Sequence, residues 1–459
     1  MKYWQGKFNE GLDRTAEQFI STFAFDKRLY KHDIMGSIAH CTMLGEQNII
    51  SEEETKVIQQ ALTQIFYDIP TGKLVPEGAV DIYDFLDSEL GARIGNIADK
   101  LNIARSKYDR AALDRRMYVS QLCGDINESL KKLIEKIRET SNNYTAVIMP
   151  SQANFVKASP TTLAHTLMAH AERFMRDIVR MKETAKTAAV MPLYSGYGTG
   201  VAYKVDRRRV AQLLKFSSVT QNSLDAVTDN DFICEFLSSA ALISKHVSSL
   251  CTLLTDWCTK EVPFARLDKS VNTDSKIVPS SVEPSVLETL KIKADKCTSL
   301  CLTSAAYSPG AYYTEADYAV IEPVFEAESL IKNCLEILTA VLSSFFFDEQ
   351  AMLKAATAGF TTALDCVEYL VKKGENRDAA YEIVGKLCQY CAENNKRLDT
   401  ITVDVYKTYS PLFEKDVIYV ARAKSVARLR KNEGEPGEVA VRAEMRSIDR
   451  RLNKLFPEE

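Results

Sequence analysis

Ser275 and Lys276 set a hydroxyl beside an amine in the stretch TDSKIVPSSVEPSVLE, Thr273 to Glu288. A lysine desolvated in a pocket loses basicity until it works as a general base near neutral pH, whereas a solvated loop lysine does not. A lone loop serine is ordinarily a turn residue. Asn154, in PSQANFVKASP, carries an amide, which has no protonation change near pH 7 and cannot shuttle a proton. The glycine run Tyr194-Ser195-Gly196-Tyr197-Gly198-Thr199-Gly200 lacks the lysine and the preceding strand of a phosphate cradle, and it is read as a flexible turn between helices. Cys388-x-x-Cys391 has no second half, so packing cysteines on a helix are the reading rather than zinc or redox chemistry. His32 and His40 are read in the same way, as packing or surface histidines of one helix.

The elements that must position these groups are mainly helical. Thirteen prolines and eighteen glycines in 459 residues are few, and Ala, Leu, Lys and Glu recur throughout. At 46 % hydrophobic the chain can bury more than one core. With 58 basic and 62 acidic residues in mixed order, no nucleic-acid groove is expected. The opening residues lack the apolar core of a signal peptide, and no later segment is read as a membrane span. Eleven cysteines scattered in helical contexts suit a reducing compartment, and a cytoplasmic location is expected. Residues 1–107 read as a mixed, mostly helical domain, 108–347 as a central bundle of long helices and 348–459 as a smaller helical cap. Within the bundle, Met117, Leu122, Ile126, Leu130, Leu133, Ile134 and Ile137 follow the spacing of an amphipathic helix. After a loop from Pro150 to Pro160, further helices are expected over 161–187, 230–259, 285–303 and 316–347, the last three apolar on more than one face. The terminal segment, rich in charge pairs four residues apart, reads as a solvated helix face.

Several segments resemble the argininosuccinate lyase family of the fumarase/aspartase superfamily. The stretch at 273–288 is similar to the family's mobile catalytic loop, TGSSxMPxKxNPxxxE, with Thr273, Ser275, Pro279, Pro284, Leu287 and Glu288 in place. Phe25 to His40 keeps the frame D-x-x-GS-x-AH, Gln221 to Leu237 resembles LNSMDATSxRDFxxEFL, and Trp4 to Phe8 resembles the WGGRF opening. Tyr369 to Lys386 and Ser410 to Val417 extend the resemblance almost to the end. It implies an all-α, three-domain protomer of the fumarase/aspartase type, homotetrameric, with active sites shared among subunits. No cofactor and no metal site are expected.

The family reaction is a β-elimination that releases fumarate. It requires a base on the loop, an acid or relay for the leaving nitrogen, and donors that hold two carboxylates while charge builds on one. The resemblance places these roles on positions that have changed. Lys276 stands at the second loop serine beside Ser275, Asn154 at the relay histidine, and Ala153 at its threonine partner. In the carboxylate pocket, Arg105, Ser106 and Asp109 persist, while Tyr108 stands where an asparagine donates. Ser281 and Glu283 replace the loop lysine and asparagine. Tyr83 replaces an upstream histidine, Asn222 belongs to the pocket, and downstream Tyr312 persists with Asp317 at a glutamine position. Removing one such donor costs ~10²–10³ in rate. The expectation is therefore a non-catalytic or accessory homologue, assembling with itself or with an intact paralogue. A divergent lyase using the pocket on another small molecule is the alternative, and a weak argininosuccinate lyase the third reading.

Overall fold

The computed structural model describes residues 13–153, 156–271, 273–274, 282–306 and 319–457. Asn154, Ser275, Lys276, Ser281, Tyr312 and Asp317 lie outside them, as does the Trp4 to Phe8 stretch. The all-α expectation holds: the only strands among the described residues are short, two-stranded pairs.

The helices used below are α1 (Tyr30–Glu46), α2 (Glu52–Asp68), α3 (Ile82–Ile94), α4 (Lys107–Asn143), α5 (Leu163–Ala188), α6 (Asp231–Trp257), α7 (Ser285–Ala306), α8 (Glu322–Leu342), α9 (Ala363–Lys372), α10 (Arg377–Glu393) and α11 (Glu438–Leu455). The residues form two units, one from 1–128, 179–244 and 296–332, the other from 129–178, 245–295 and 333–459.

In the first unit, α1, α2 and α3 pack around a core that includes Ile34, Leu44, Ile58, Ile65, Phe85 and Leu86. Ser51 and Glu54 close a reciprocal cap at the start of α2, where three consecutive glutamates also complement the helix dipole. The N-terminal half of α4 buries Val119, Leu122 and Ile126, the three-to-four spacing visible in the sequence. Polar partners add direction: Lys332 on α8 donates to Asp125 on α4 at 2.7 Å, and Arg28 binds Glu328 at 2.6 Å.

The second unit holds two smaller cores. Helices α9 and α10 enclose Cys366, Leu370, Leu387, Cys391, Tyr406 and Phe413. Cys388 and Cys391 thus sit on a packed helix, and burial raises both thiols above the ordinary value. Helix α11 buries Val441, Met445, Ile448 and Leu452. Its charged face is less solvated than expected, because Arg451 pairs with Glu172 and Asp449 receives Arg138 at 2.7 Å.

Two expectations are corrected here. The segment from Pro150 to Pro160 is largely an antiparallel ribbon, with β1 (Ile148–Ala153) against β2 (Val156–Thr162). The helix expected to Phe347 stops at Leu342, and β6 (Phe345–Phe347) pairs antiparallel with β3 (Ala265–Leu267). Three aromatic residues in a row favour a pleated strand, and Phe347 meets both Trp257 and Tyr144 edge-on. Helix α6 is long and apolar enough to cross a membrane by length and composition alone. It is a core helix whose Phe232, Phe236, Val247 and Leu254 are buried by protein.

Candidate active site

Helix α4 begins with the residues singled out for the carboxylate pocket. Ser106 and Asp109 cap it reciprocally: the Asp109 backbone N–H donates to Ser106 Oγ at 3.2 Å, and the Ser106 N–H donates to Asp109 Oδ1 at 3.0 Å. Ser106 Oγ then donates to the Gly196 carbonyl at 2.9 Å, and the backbone N–H groups of Tyr194 and Gly196 donate to Asp109 Oδ2 at 3.0 and 3.1 Å. Burial pushes the Asp109 carboxyl above its usual range, while the donors from Gly196 and Ser106 pull it back.

The glycine run is therefore no flexible turn. Tyr194 and Ser195 are buried, and the turn is bonded to the start of α4. A Cβ on Gly196 would stand 2.4 Å from the Gly200 carbonyl oxygen, and the residue has φ +57°, so glycine is required. Tyr194 has φ +70° and Ala104 φ +58°, left-handed values uncommon outside glycine, and both lie beside the pocket segment.

Arg105 projects from that segment. Its Nη1 donates to Ser37 Oγ at 2.7 Å and its Nη2 to Asn102 Oδ1 at 3.4 Å; Nε is buried with no partner among the described residues. Both partners are neutral. Burial, and then the charge of Arg110, pull its pKa below the ordinary guanidinium value. Arg110 is compensated differently: its Nη2 donates to Asp33 Oδ2 at 2.7 Å and its Nη1 to Asp87 Oδ1 at 2.8 Å, with the guanidinium 5.1 Å from the Tyr83 ring centre. Tyr83 is thus part of a buried core and ion network.

Tyr108 and Tyr197 meet edge to face at 5.0 Å between ring centres, Tyr108 half-buried and Tyr197 73 % exposed. Asn222 closes the far side of the turn as a helix cap, its Oδ1 accepting from the N–H groups of Leu224 and Asp225 at 2.9 and 3.1 Å. Beside it, Ser223 donates to the Gly198 carbonyl at 2.7 Å. Arg105, Ser106, Tyr108, Asp109 and Asn222 are therefore assembled around one turn. Glu283 lies in the second unit, where its backbone pairs with Thr273 and that of Asp274 with Val282.

Sequence reasoning missed the supports. His40 Nε2 lies 3.0 Å from the Leu101 carbonyl, which only accepts, so His40 Nδ1 accepts from Tyr194 Oη at 2.9 Å. Burial holds this imidazole neutral, its pKa well below the ordinary value, and His32 is likewise buried with its pKa lowered. Asp33, Ser37 and His40 fall three to four residues apart on α1, a helical-face spacing that could have grouped them.

Comparison with known proteins places this geometry in context. A lyase family model matches residues 6–298, and an argininosuccinate lyase C-terminal model matches 360–427. The argininosuccinate lyase of Desulforamulus reducens is 38 % identical, covering 99 % of this chain and 100 % of its own. That of Acetivibrio thermocellus is 36 % identical, covering 99 % of each. Among solved structures, an EDDS lyase in complex with formate superposes with a TM-score of 0.82 at 22 % identity, over 97 % of this chain and 91 % of its own. A class II fumarase from Schistosoma mansoni gives a TM-score of 0.71 at 12 % identity, over 84 % and 89 %. These structural matches establish the shared fold.

Proposed function

The chain belongs to the argininosuccinate lyase family, and on that premise we propose that it is a C–N lyase acting on an argininosuccinate-type dicarboxylate. It releases fumarate at a rate well below that of a site with the full acid–base set. The observation that carries this reading is Arg105, a largely buried guanidinium whose described partners are both neutral. The carboxylates of Asp33, Asp87 and Asp109 offset part of the cost of burying its charge, and a substrate carboxylate would add a direct charged partner in the bidentate geometry a guanidinium favours.

In this reading Arg105 holds one carboxylate while a base removes the proton from the carbon next to the other. The electron pair then forms the fumarate double bond as the C–N bond breaks. The loop offers Ser275 and Lys276 for the base, and Asn154 offers a hydrogen bond but no proton to the leaving nitrogen. Losses of this kind slow the reaction by ~10²–10³ for each missing stabilising donor. Homotetrameric assembly and a cytoplasmic location belong to the same proposal. A second reading, a non-catalytic accessory subunit, is favoured by Asn154 and Lys276 themselves, which replace both proton-transfer positions of the family.

The test follows fumarate by its ultraviolet absorbance when the pure protein meets argininosuccinate. Release that depends on Arg105 supports the lyase. Binding without release supports the accessory subunit, and no binding at all overturns the argument from Arg105.

A further inference from the structure

A cavity of about 500 Å³ lies within the second unit, remote in sequence from Arg105. Its size falls in the range of small-molecule sites. Ala265 and Leu267 of β3, Cys258, Pro284 and Phe346 provide apolar walls. Arg266 and Lys269 provide cations, and both are exposed.

The chemistry of the lining is one-sided. Arg266 stands directly opposite Phe346 across the β3–β6 pair, its guanidinium 5.3 Å from the ring centre. Stacked on the ring, it keeps its N–H edge available to a carboxylate. Asp268, the one acidic residue among the described lining, already accepts from the Ser270 N–H at 2.9 Å and the Ser270 hydroxyl at 2.7 Å. Burial pushes the Cys258 thiol up to about 11, so it serves as a neutral wall. Phe346 leaves half its surface exposed, apolar area that a ligand's body would remove from water.

We propose that this cavity is a binding site for a small carboxylate with an apolar or aromatic body, its carboxylate on Arg266 and Lys269 and its body against Phe346, Leu267 and Pro284. The position gives the site a second property. Lys269 leads into Thr273, and Pro284 follows Glu283, so the cavity touches both stems of the segment closed by the Thr273–Glu283 pairing. Occupancy ties the two stems together. Only the consequence for catalysis rests on the lyase reading; binding does not.

The probe is 3-phenylpropionate, titrated calorimetrically into the full-length protein. Saturable binding in the millimolar range or tighter is expected, weakened at least tenfold in Arg266→Glu and in Lys269→Glu and retained in Arg105→Gln. 3-Phenylpropylamine, with the same body and opposite charge, is expected not to bind. Amide hydrogen exchange across 269–285 is expected to slow at least twofold on saturation. No saturable binding up to about 10 mM, equal binding to either charge-reversed variant, or loss in Arg105→Gln overturns the site. Binding without slowed exchange overturns its link to the stems. None of these readouts depends on fumarate release, so failure here and failure of the lyase reading are told apart.

Discussion

Asp109 Oδ2 accepts the backbone N–H of Tyr194 at 3.0 Å, which fastens the left-handed residue of the glycine turn to the first turn of α4. With Gly196 on the same oxygen and Ser106 on the other, the carboxylate holds together residues 85 or more positions apart. Asp109→Asn presents one accepting oxygen and an N–H₂ that faces other donors. The expected cost is about 1.5–3 kcal/mol in chemical denaturation, with weaker dicarboxylate binding because Arg105 shares the segment.

Arg105 has the opposite profile. Its described hydrogen-bond partners are neutral, so on the proposed reading its burial serves binding more than folding. Arg105→Met is expected to leave the melting temperature unchanged or raised while lowering fumarate release and argininosuccinate affinity at least ~10²-fold. A large fall in melting temperature would instead make Arg105 a structural residue.

Gly196→Ala sets a methyl group 2.4 Å from the Gly200 carbonyl oxygen at a left-handed φ. The expected destabilisation is about 1–3 kcal/mol, read from thermal or urea unfolding. Gly72→Ala, with a similar φ and open space around it, isolates the backbone share of that cost.

Asp26 supplies a pH signature. Burial, above all, raises its pKa from 3.8 to about 7, despite hydrogen bonds from Thr22 and from the Ile82 N–H. The folded state therefore holds a proton that the unfolded state releases. Its contribution to stability is fully present below about pH 4 and is lost as pH rises toward 7. His170, its pKa lowered to about 3 mainly by burial, works in the other direction, losing stability as pH falls below 6.5. The difference between wild type and Asp26→Asn isolates the first effect. Relative to wild type, the variant is expected to gain stability steadily from pH 4 to 7, and a flat difference would refute the assignment.

Placing the family's residues at the two proton-transfer positions tests the proposal that their replacement slows turnover. Asn154→His with Lys276→Ser is expected to raise fumarate release at least ~10²-fold over wild type. An unchanged rate would place the limitation at Tyr108 or elsewhere in the carboxylate pocket.

The long helices were legible because burial repeats every three to four residues over many turns, as from Val119 to Ile137. Phe345–Phe347 was not, because three apolar residues at a helix end carry no period, and their strand partner lies almost 80 residues earlier. Pro150 to Pro160 reads as a loop in the sequence, although a ribbon tolerates its prolines where the register slips between Pro150 and Gln152. In the pocket, Ser106 and Asp109 announce their cap by local spacing. Tyr194 and His40 meet only through the fold, 154 positions apart, and nothing local marks them as partners.

Tyr197 holds its exposed ring on a turn anchored through Ser106, Asp109 and Ser223. The backbone beneath the ring is already ordered, so an incoming ligand restricts little more than side-chain rotation. That leaves a smaller entropic opposition to association than a loose loop would impose. The slow release proposed above is therefore compatible with firm capture of a molecule that reaches the Tyr197 face.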